Sequence, residues 1–282
     1  MAQVTKEMLR ERFAEAGLEP FWPQIECVVR PAIEVNSSPC SDDNLAIGAS
    51  KRGGAPDLSV DFVWPERSGE ACDFFCQINL SETAPFDVEG LLPKAGLLSF
   101  FISRDQVGEL NGDPVYLFSP EIPLVRQSNE RTEELAKYTD VVQYDFDSTW
   151  SSPNYSEKLN FLDQLADGRD LFEEISWEIG GVDCLLGHPD DYQGDPEPTC
   201  ELIYRGVRRH AYDNAPEGWS SHHAEVKQLA FNNWLFLFDT SDDAGVFSLN
   251  YCIRRDDLAR QNFSKTILIF AFRLKGYPSR RF

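Results

Sequence analysis

One pattern is written twice in this chain, and it constrains the fold more than any other feature. Ala95-Gly96-Leu97-Leu98-Ser99-Phe100-Phe101-Ile102-Ser103-Arg104-Asp105 returns as Ala244-Gly245-Val246-Phe247-Ser248-Leu249, followed by Ile253-Arg254-Arg255-Asp256. The second copy carries two more residues before its Ile. Two residues is one strand period, so both copies can keep the same face inward. A hydrophobic run precedes each copy, Phe74 to Leu80 in the first and Trp234 to Asp239 in the second. The pattern predicts two related β units packed together, with halves at approximately 20–150 and 181–275 inside one domain spanning 1–282.

The length fits a large core, and 42% hydrophobic with 12% aromatic residues supplies one. The strands fall in clusters with short polar turns, and helices are few. The expectation is therefore an α+β fold of mainly antiparallel sheets, with helices between the two units and at the N-terminus. A helix is expected over 4–16, where Val4, Met8, Leu9 and Phe13 share a face and Gly17 stops it. Ile25 to Val35 reads as a strand, and Leu45 to Ile47 as a short one. Strands are expected at Phe74 to Leu80, Leu97 to Ile102, Val115 to Phe118, Val141 to Phe146, Leu229 to Phe238, Val246 to Ile253 and Thr266 to Phe272. Helices are expected over 155–166 and 169–179 and from Asp256 to Phe263, and an acidic loop from Asp190 to Pro198.

The formal net charge is −21. Such a surface repels nucleic acid and anionic membrane and attracts basic partners. Seven cysteines stand without a framework spacing. Cys72 and Cys76 are separated by roughly 13 Å on a strand, too far for a disulfide. The first residues lack the apolar run of a signal peptide, and no apolar stretch is long enough to span a bilayer. A reduced, cytoplasmic protein is the expectation.

The sharp catalytic signatures are missing: no GxGxxG, GxxxxGK[ST], GxSxG or HExxH occurs. His223-Ala224-Glu225 matches the HxE of zinc deaminases without the PCxxC that completes their metal site. His222 and His223 read as part of a polar loop. Asp145 and Asp147 flank Phe146 at strand period and read as a solvated face. No catalytic residue, metal ligand or cofactor is assigned.

Several segments taken together resemble a bacterial family. Arg52-Gly53-Gly54-Ala55-Pro56 leads to Val63-Trp64-Pro65, then to Cys76-Gln77-Ile78-Asn79-Leu80, then to Leu92-Pro93-Lys94-Ala95-Gly96-Leu97-Leu98-Ser99-Phe100-Phe101. The second half adds Leu186-Gly187-His188-Pro189, Gln193-Gly194-Asp195, the run Leu235 to Asp242, and Asp256-Asp257-Leu258 with Phe263. In order and spacing, from about residue 48 to about 270, these resemble the YwqG-like family. Asp243-Ala244 departs from that family's Trp-Gly-Asp, and Phe236-Leu237-Phe238 departs from its Leu-Leu-Gln-Leu. The resemblance implies an α+β fold with internal duplication. It also implies an association with polymorphic-toxin genes, without an activity.

Two functional expectations follow. The first is a non-enzymatic immunity protein that occludes a basic toxin, such as a nuclease. Its contacts would come from Asp190, Asp191, Tyr192, Asp195, Asp239, Asp242 and Asp243. The second is a small-ligand-binding protein or an enzyme of unknown reaction, with a site between the halves built from Gly53, Gly54, Gln77 and Gln193. A structural role is expected for Arg104-Asp105 and Arg255-Asp256, each Asp capping the element that follows and each Arg pairing with a carboxylate.

Overall fold

A computed structural model describes residues 5–67, 69–103, 115–135, 139–153, 156–179, 183–189, 195–206, 219–241 and 247–272. The chain opens with α1 (Lys6–Glu15) and α2 (Trp22–Val28), then β1 (Arg30–Pro39), β2 (Lys51–Arg52), β3 (Asp57–Ser59), β4 (Glu66–Arg67), β5 (Glu70–Ala71) and β6 (Asp73–Asn79). After α3 (Leu80–Thr83) come β7 (Leu97–Ile102), β8 (Val115–Phe118), β9 (Leu124–Arg126), α4 (Glu130–Leu135) and β10 (Val142–Ser151). The rest of the chain contributes α5 (Gly168–Ile179), β11 (Cys184–Leu185), α6 (Glu197–Tyr204), α7 (Trp219–Asn233), β12 (Trp234–Ser241), β13 (Phe247–Arg254), α8 (Arg255–Ala259) and β14 (Ile267–Phe272).

Ten strands form one antiparallel half-barrel sheet in the order β14-β13-β12-β11-β1-β10-β2-β6-β7-β8. Its middle is the long β1–β10 pair, in register from Arg30↔Ser151 to Pro39↔Val142. Outward from that pair, one wing runs β2, β6, β7, β8 and the other β11, β12, β13, β14, each in chain order. Each wing has a register shift in its second pairing of long strands, at Phe75 between Phe74 and Cys76 and at Leu237 between Phe236 and Phe238. A bulge reverses which face the following residues occupy.

The wings curl so that their inner faces meet. Phe100 of β7 lies 4.9 Å from the ring of Tyr251 on β13 and 5.3 Å from Phe238 on β12. This inner core also takes Ile33, Val35, Val142 and Tyr144 from the central pair. The outer faces are covered differently. A helical layer of α1, α2 and α5 packs Leu9, Phe13, Trp22, Ile25, Phe172 and Ile175 beside Trp150 of β10. The second wing carries α6 and α7, with Cys200 and Ala230 set against Trp234, Phe236 and Cys252. The first wing carries the β3–β9 ribbon and the loop bearing Phe62 and Trp64.

Several expectations need correcting. Ile25 to Val28 is helical, because Trp22 and Ile25 bury together at i,i+3 and Pro23 sits in the first turn. Leu229 to Asn233 belongs to α7, and β12 begins at Trp234. Periodicity alone does not separate a buried helix end from a strand start in so short an apolar run. Leu45 to Ile47 is not a strand; it follows a short 3₁₀ turn, Asp42–Asn44. Glu197 and Pro198 open α6 rather than closing an acidic loop. His222 and His223 lie on α7, not in a loop. The expected helix at Asp256 starts at Arg255 and ends at Ala259, with a separate 3₁₀ turn at Phe263–Lys265. Asp256 is in the first turn of α8 and makes no side-chain cap, and Arg255 donates to the Asn232 carbonyl at 3.0 Å rather than to a carboxylate. Asp145 and Asp147 are exposed while Phe146 packs on the inner core, as the strand period required. Arg104, Asp105 and Gly245 lie outside the described residues.

Candidate functional site

The densest polar cluster lies behind the first wing. Lys51 of β2 and Gln77 of β6 are cross-strand neighbours, and both are fully buried. Burial of these polar groups is tolerated only because each finds partners. Lys51 Nζ donates to Asp42 Oδ1 and to the Ala55 carbonyl, each at 2.5 Å. Gln77 Oε1 accepts from the Asp57 N–H at 2.9 Å, and its amide donates to Asp57 Oδ2 and to the Ala49 carbonyl, each at 2.8 Å. Asp57, also fully buried, accepts from the Gly48 N–H at 2.8 Å and from Arg126 Nε at 3.0 Å. Arg126 of β9 then donates to the carbonyls of Asp42, Leu45 and Ala46.

The electrostatics follow from this geometry. Burial alone would raise the Asp57 carboxyl, but the Arg126 guanidinium, the Gly48 N–H and the Gln77 amide outweigh it and hold it below the usual range. Burial pulls the Lys51 ammonium down against the attraction of Asp42. Gly53 and Gly54 adopt φ of +73° and +68°. A Cβ on Gly54 would stand 2.5 Å from Asp42 Oδ2, and one on Gly53 would stand 3.0 Å from the Asp140 carbonyl. The glycines therefore let the loop close on Asp42 and on the turn before β10. What the arrangement does chemically is to clamp the loop 42–57 and the β3–β9 ribbon onto the sheet.

A second cluster lies behind the other wing. Lys158 bonds Glu197 at 2.8 Å and Asp195 at 3.2 Å, and Asp195 also accepts from Ser156 Oγ at 2.6 Å. Glu197 is buried, and its Oε2 has no hydrogen-bond partner. His188 is buried and bonds the Val28 carbonyl through Nε2 at 2.7 Å. Burial first, then Arg30 and Lys158, hold its pKa well below the ordinary histidine value, so the ring is neutral. Nearby, Glu201 accepts from Trp234 Nε1 at 2.8 Å and pairs with Arg205 and Arg254.

The expected site residues are distributed as follows. Gly53, Gly54 and Gln77 meet in the first cluster, where their contacts are internal. Asp195 has a side chain only 8% exposed and is spent on Ser156 and Lys158. Asp239 is fully buried and accepts from Ser248 Oγ at 2.5 Å. Neither of these two aspartates stands on the surface where a partner would meet it. Asp190, Asp191, Tyr192, Gln193, Asp242 and Asp243 lie outside the described residues. Sequence reasoning missed Asp42, Lys51, Asp57 and Arg126 as a set. Arg126 is 69 residues from Asp57, and no local pattern links them.

Among the described residues no three His, Cys, Asp or Glu side chains converge to hold a metal ion, and no helix is long and apolar enough to cross a membrane. The family model for a domain of unknown function, DUF1963, matches residues 50–271. That span covers most of the chain and takes in Lys51, Asp57, Gln77 and Arg126 of the first cluster and Lys158, Asp195 and Glu197 of the second, while Asp42 precedes it. The chain belongs to this family. No curated protein matches it.

Proposed function

We propose that this is a non-enzymatic binding protein whose partner is a basic protein, and that it serves as an immunity protein occluding a polymorphic toxin. The observation that carries this reading is the net charge of −21 on a chain in which Lys51, Arg126, Lys158 and Arg254 are matched to internal carboxylates. The uncompensated carboxylates are left to the surface, where they steer a cationic partner. The toxin association comes from the YwqG-like resemblance. The segment Asp190-Asp191-Tyr192, with Asp242 and Asp243, supplies the acidic contact in this reading. The order of the two wings and the paired bulges at Phe75 and Leu237 support reading the fold as a duplicated unit whose first strands, β1 and β10, are exchanged between halves.

The test is binding kinetics against the product of a neighbouring toxin gene at two salt concentrations. Association slows with salt if charge steers the encounter. Asp190→Lys with Asp191→Lys slows it further and flattens the salt dependence, and Tyr192→Ala speeds dissociation. Absence of binding to every such product sinks the proposal.

A further inference from the structure

The first wing carries an apolar surface that the fold does not use. Ten large hydrophobic side chains are exposed among the described residues, and five of them are Ile47, Val60, Val63, Ile122 and Val125. Val60, Val63, Ile122 and Val125 come from two short segments that the β3–β9 pairing sets side by side, and Ile47 from the loop that Asp57 and Arg126 hold against them. The register runs Leu58↔Val125 and Ser59↔Leu124, so the turns that follow β3 and precede β9 are neighbours. Each turn is closed by a backbone hydrogen bond, Phe62 N–H to the Ser59 carbonyl and Ile122 N–H to the Ser119 carbonyl, both at 3.0 Å. Scattered exposed apolar residues need no explanation, but five of the ten on one ribbon and the loop it holds do.

The surface stands on a packed frame. Phe62 packs 4.9 Å from Tyr116 and 5.3 Å from Phe118, and Trp64 packs 5.3 Å from Phe101 while donating to the Cys72 carbonyl at 2.8 Å. With Phe62 and Trp64 held inward, the alternation turns Val63 out to 83% exposure and leaves Val60 at the turn tip with 69%. Arg126, on the same ribbon, is locked to Asp57 and to three carbonyls. Side chains displayed on a fixed frame lose little entropy on binding.

Beside the ribbon lies a pocket of about 200 Å³, floored by Leu97, Phe118 and Leu124 and edged by Asn79, Ser119 and Ile122. The exposed carboxylates of Asp43, near Arg126, of Asp61, between Val60 and Phe62, and of Glu121, bonded by Ser119 of the pocket wall, flank the ribbon and pocket, and exposed Lys94 stands beside Ala95 of that wall. An apolar centre within a charged rim is the anatomy of a protein contact. Small-molecule sites, by contrast, enclose most of their ligand.

We infer that the β3–β9 ribbon and its pocket are a contact surface for a basic protein segment, with one apolar side chain of that segment seated in the pocket and its flanking Lys or Arg residues on the acidic rim. This rests on the basic-partner reading above and adds where an anchor is held. The occupant is argued from charge complementarity: the rim is acidic, as the whole chain is.

The probe is a short synthetic peptide carrying one Phe among lysines and arginines, with a matched peptide in which that Phe is Gly. Affinity is measured by fluorescence anisotropy at low salt, and contacts are mapped on Ile and Val methyl NMR signals of the wild-type protein. The Phe peptide is expected to bind more tightly than the Gly peptide and to shift the Ile47, Val60 and Ile122 methyls. Ile122→Ser with Val60→Ser is expected to weaken the Phe peptide by about tenfold, a typical loss for an interface anchor. Val88→Ser, at another site with 59% exposure, is the control expected to leave binding unchanged. Unaltered affinity in the double variant, or shifts confined to other methyls, overturns the inference while leaving the basic-partner reading standing. No binding of either peptide by the wild-type protein overturns the charge argument beneath both.

Discussion

The polar clusters behind the two wings bury carboxylates in the same kind of place and satisfy them differently. On the first wing, Asp57 receives Gly48, Gln77 and Arg126, so loop backbone and side chains share the load. On the second, the partners are mostly side chains reaching from neighbouring helices, and Glu197 keeps an oxygen with no partner. The first arrangement fixes a loop and a ribbon in one conformation. The second joins a helical layer to the sheet and tolerates an incomplete network. Buried polar groups specify a conformation to the extent that every member is satisfied.

Four measurements break or sharpen that contrast. The largest effect is expected from Asp57→Ala, which strands Arg126 and weakens the surroundings of Lys51. Removing one member of a buried ion pair costs about 3–5 kcal/mol, read as a lower denaturant midpoint. A loss as small as that of an exposed substitution would refute the clamp.

Next is Gly54→Ala. It combines positive φ with a 2.5 Å approach to Asp42 Oδ2 and is expected to cost about 1–3 kcal/mol. Because it acts on the same loop, its loss should not add to that of Asp57→Ala in the double variant. Full additivity would mean that the loop and the carboxylate are independent.

Acidification separates the two wings. His188, neutral when folded, has its pKa well below the unfolded value near 6.5. The unfolded chain therefore binds the extra proton first. The stability tied to His188 is complete above about pH 6.5 and is lost as pH falls toward the folded pKa, at a slope approaching about 1.4 kcal/mol per pH unit. Asp57, with its folded pKa also depressed, contributes stability present above about pH 4 and lost only below it. His188→Gln should flatten the melting midpoint between about pH 6.5 and 5 without touching the loss below about pH 4. A wild-type curve flat across the upper window would show that His188 is not the group responsible.

The smallest effect is expected from Glu197→Gln. It keeps an oxygen for Lys158, which retains Asp195, and gives the unpartnered side an uncharged group. Under about 1 kcal/mol is expected, within the range of mildly perturbing substitutions. A loss matching that of Asp57→Ala would erase the distinction between the clusters.

Much of the architecture was legible in the sequence. The mainly antiparallel sheet followed from clustered strand runs and turn residues. Leu97–Ile102 and Val115–Phe118 fell on β7 and β8 with the expected bounds, and Asp145, Phe146 and Asp147 took the faces their period required. Element boundaries failed where a short apolar run suited both helix and strand, as at Ile25 and Leu229. The candidate site was legible only in part. Gly53, Gly54 and Gln77 drew notice as a glycine loop and as part of a family motif, but the carboxylates they meet, Asp42 beside Gly54 and Asp57 bonded to Gln77, did not.

By itself the sequence determined what local chemistry enforces: strand period, turn residues, the helix stop at Gly17 and a surface of excess negative charge. Only the tertiary structure decided which charges meet. Asp42, Asp57 and Arg126 lie on three segments brought together by a ribbon folding over a sheet, and Asp239 looks like any turn aspartate until β12 and β13 bury it beside Ser248. Hydrophobic periodicity is a property of neighbours along the chain. Ion pairing and burial are properties of neighbours in space, and in a fold whose first strand lies beside its tenth the two seldom coincide.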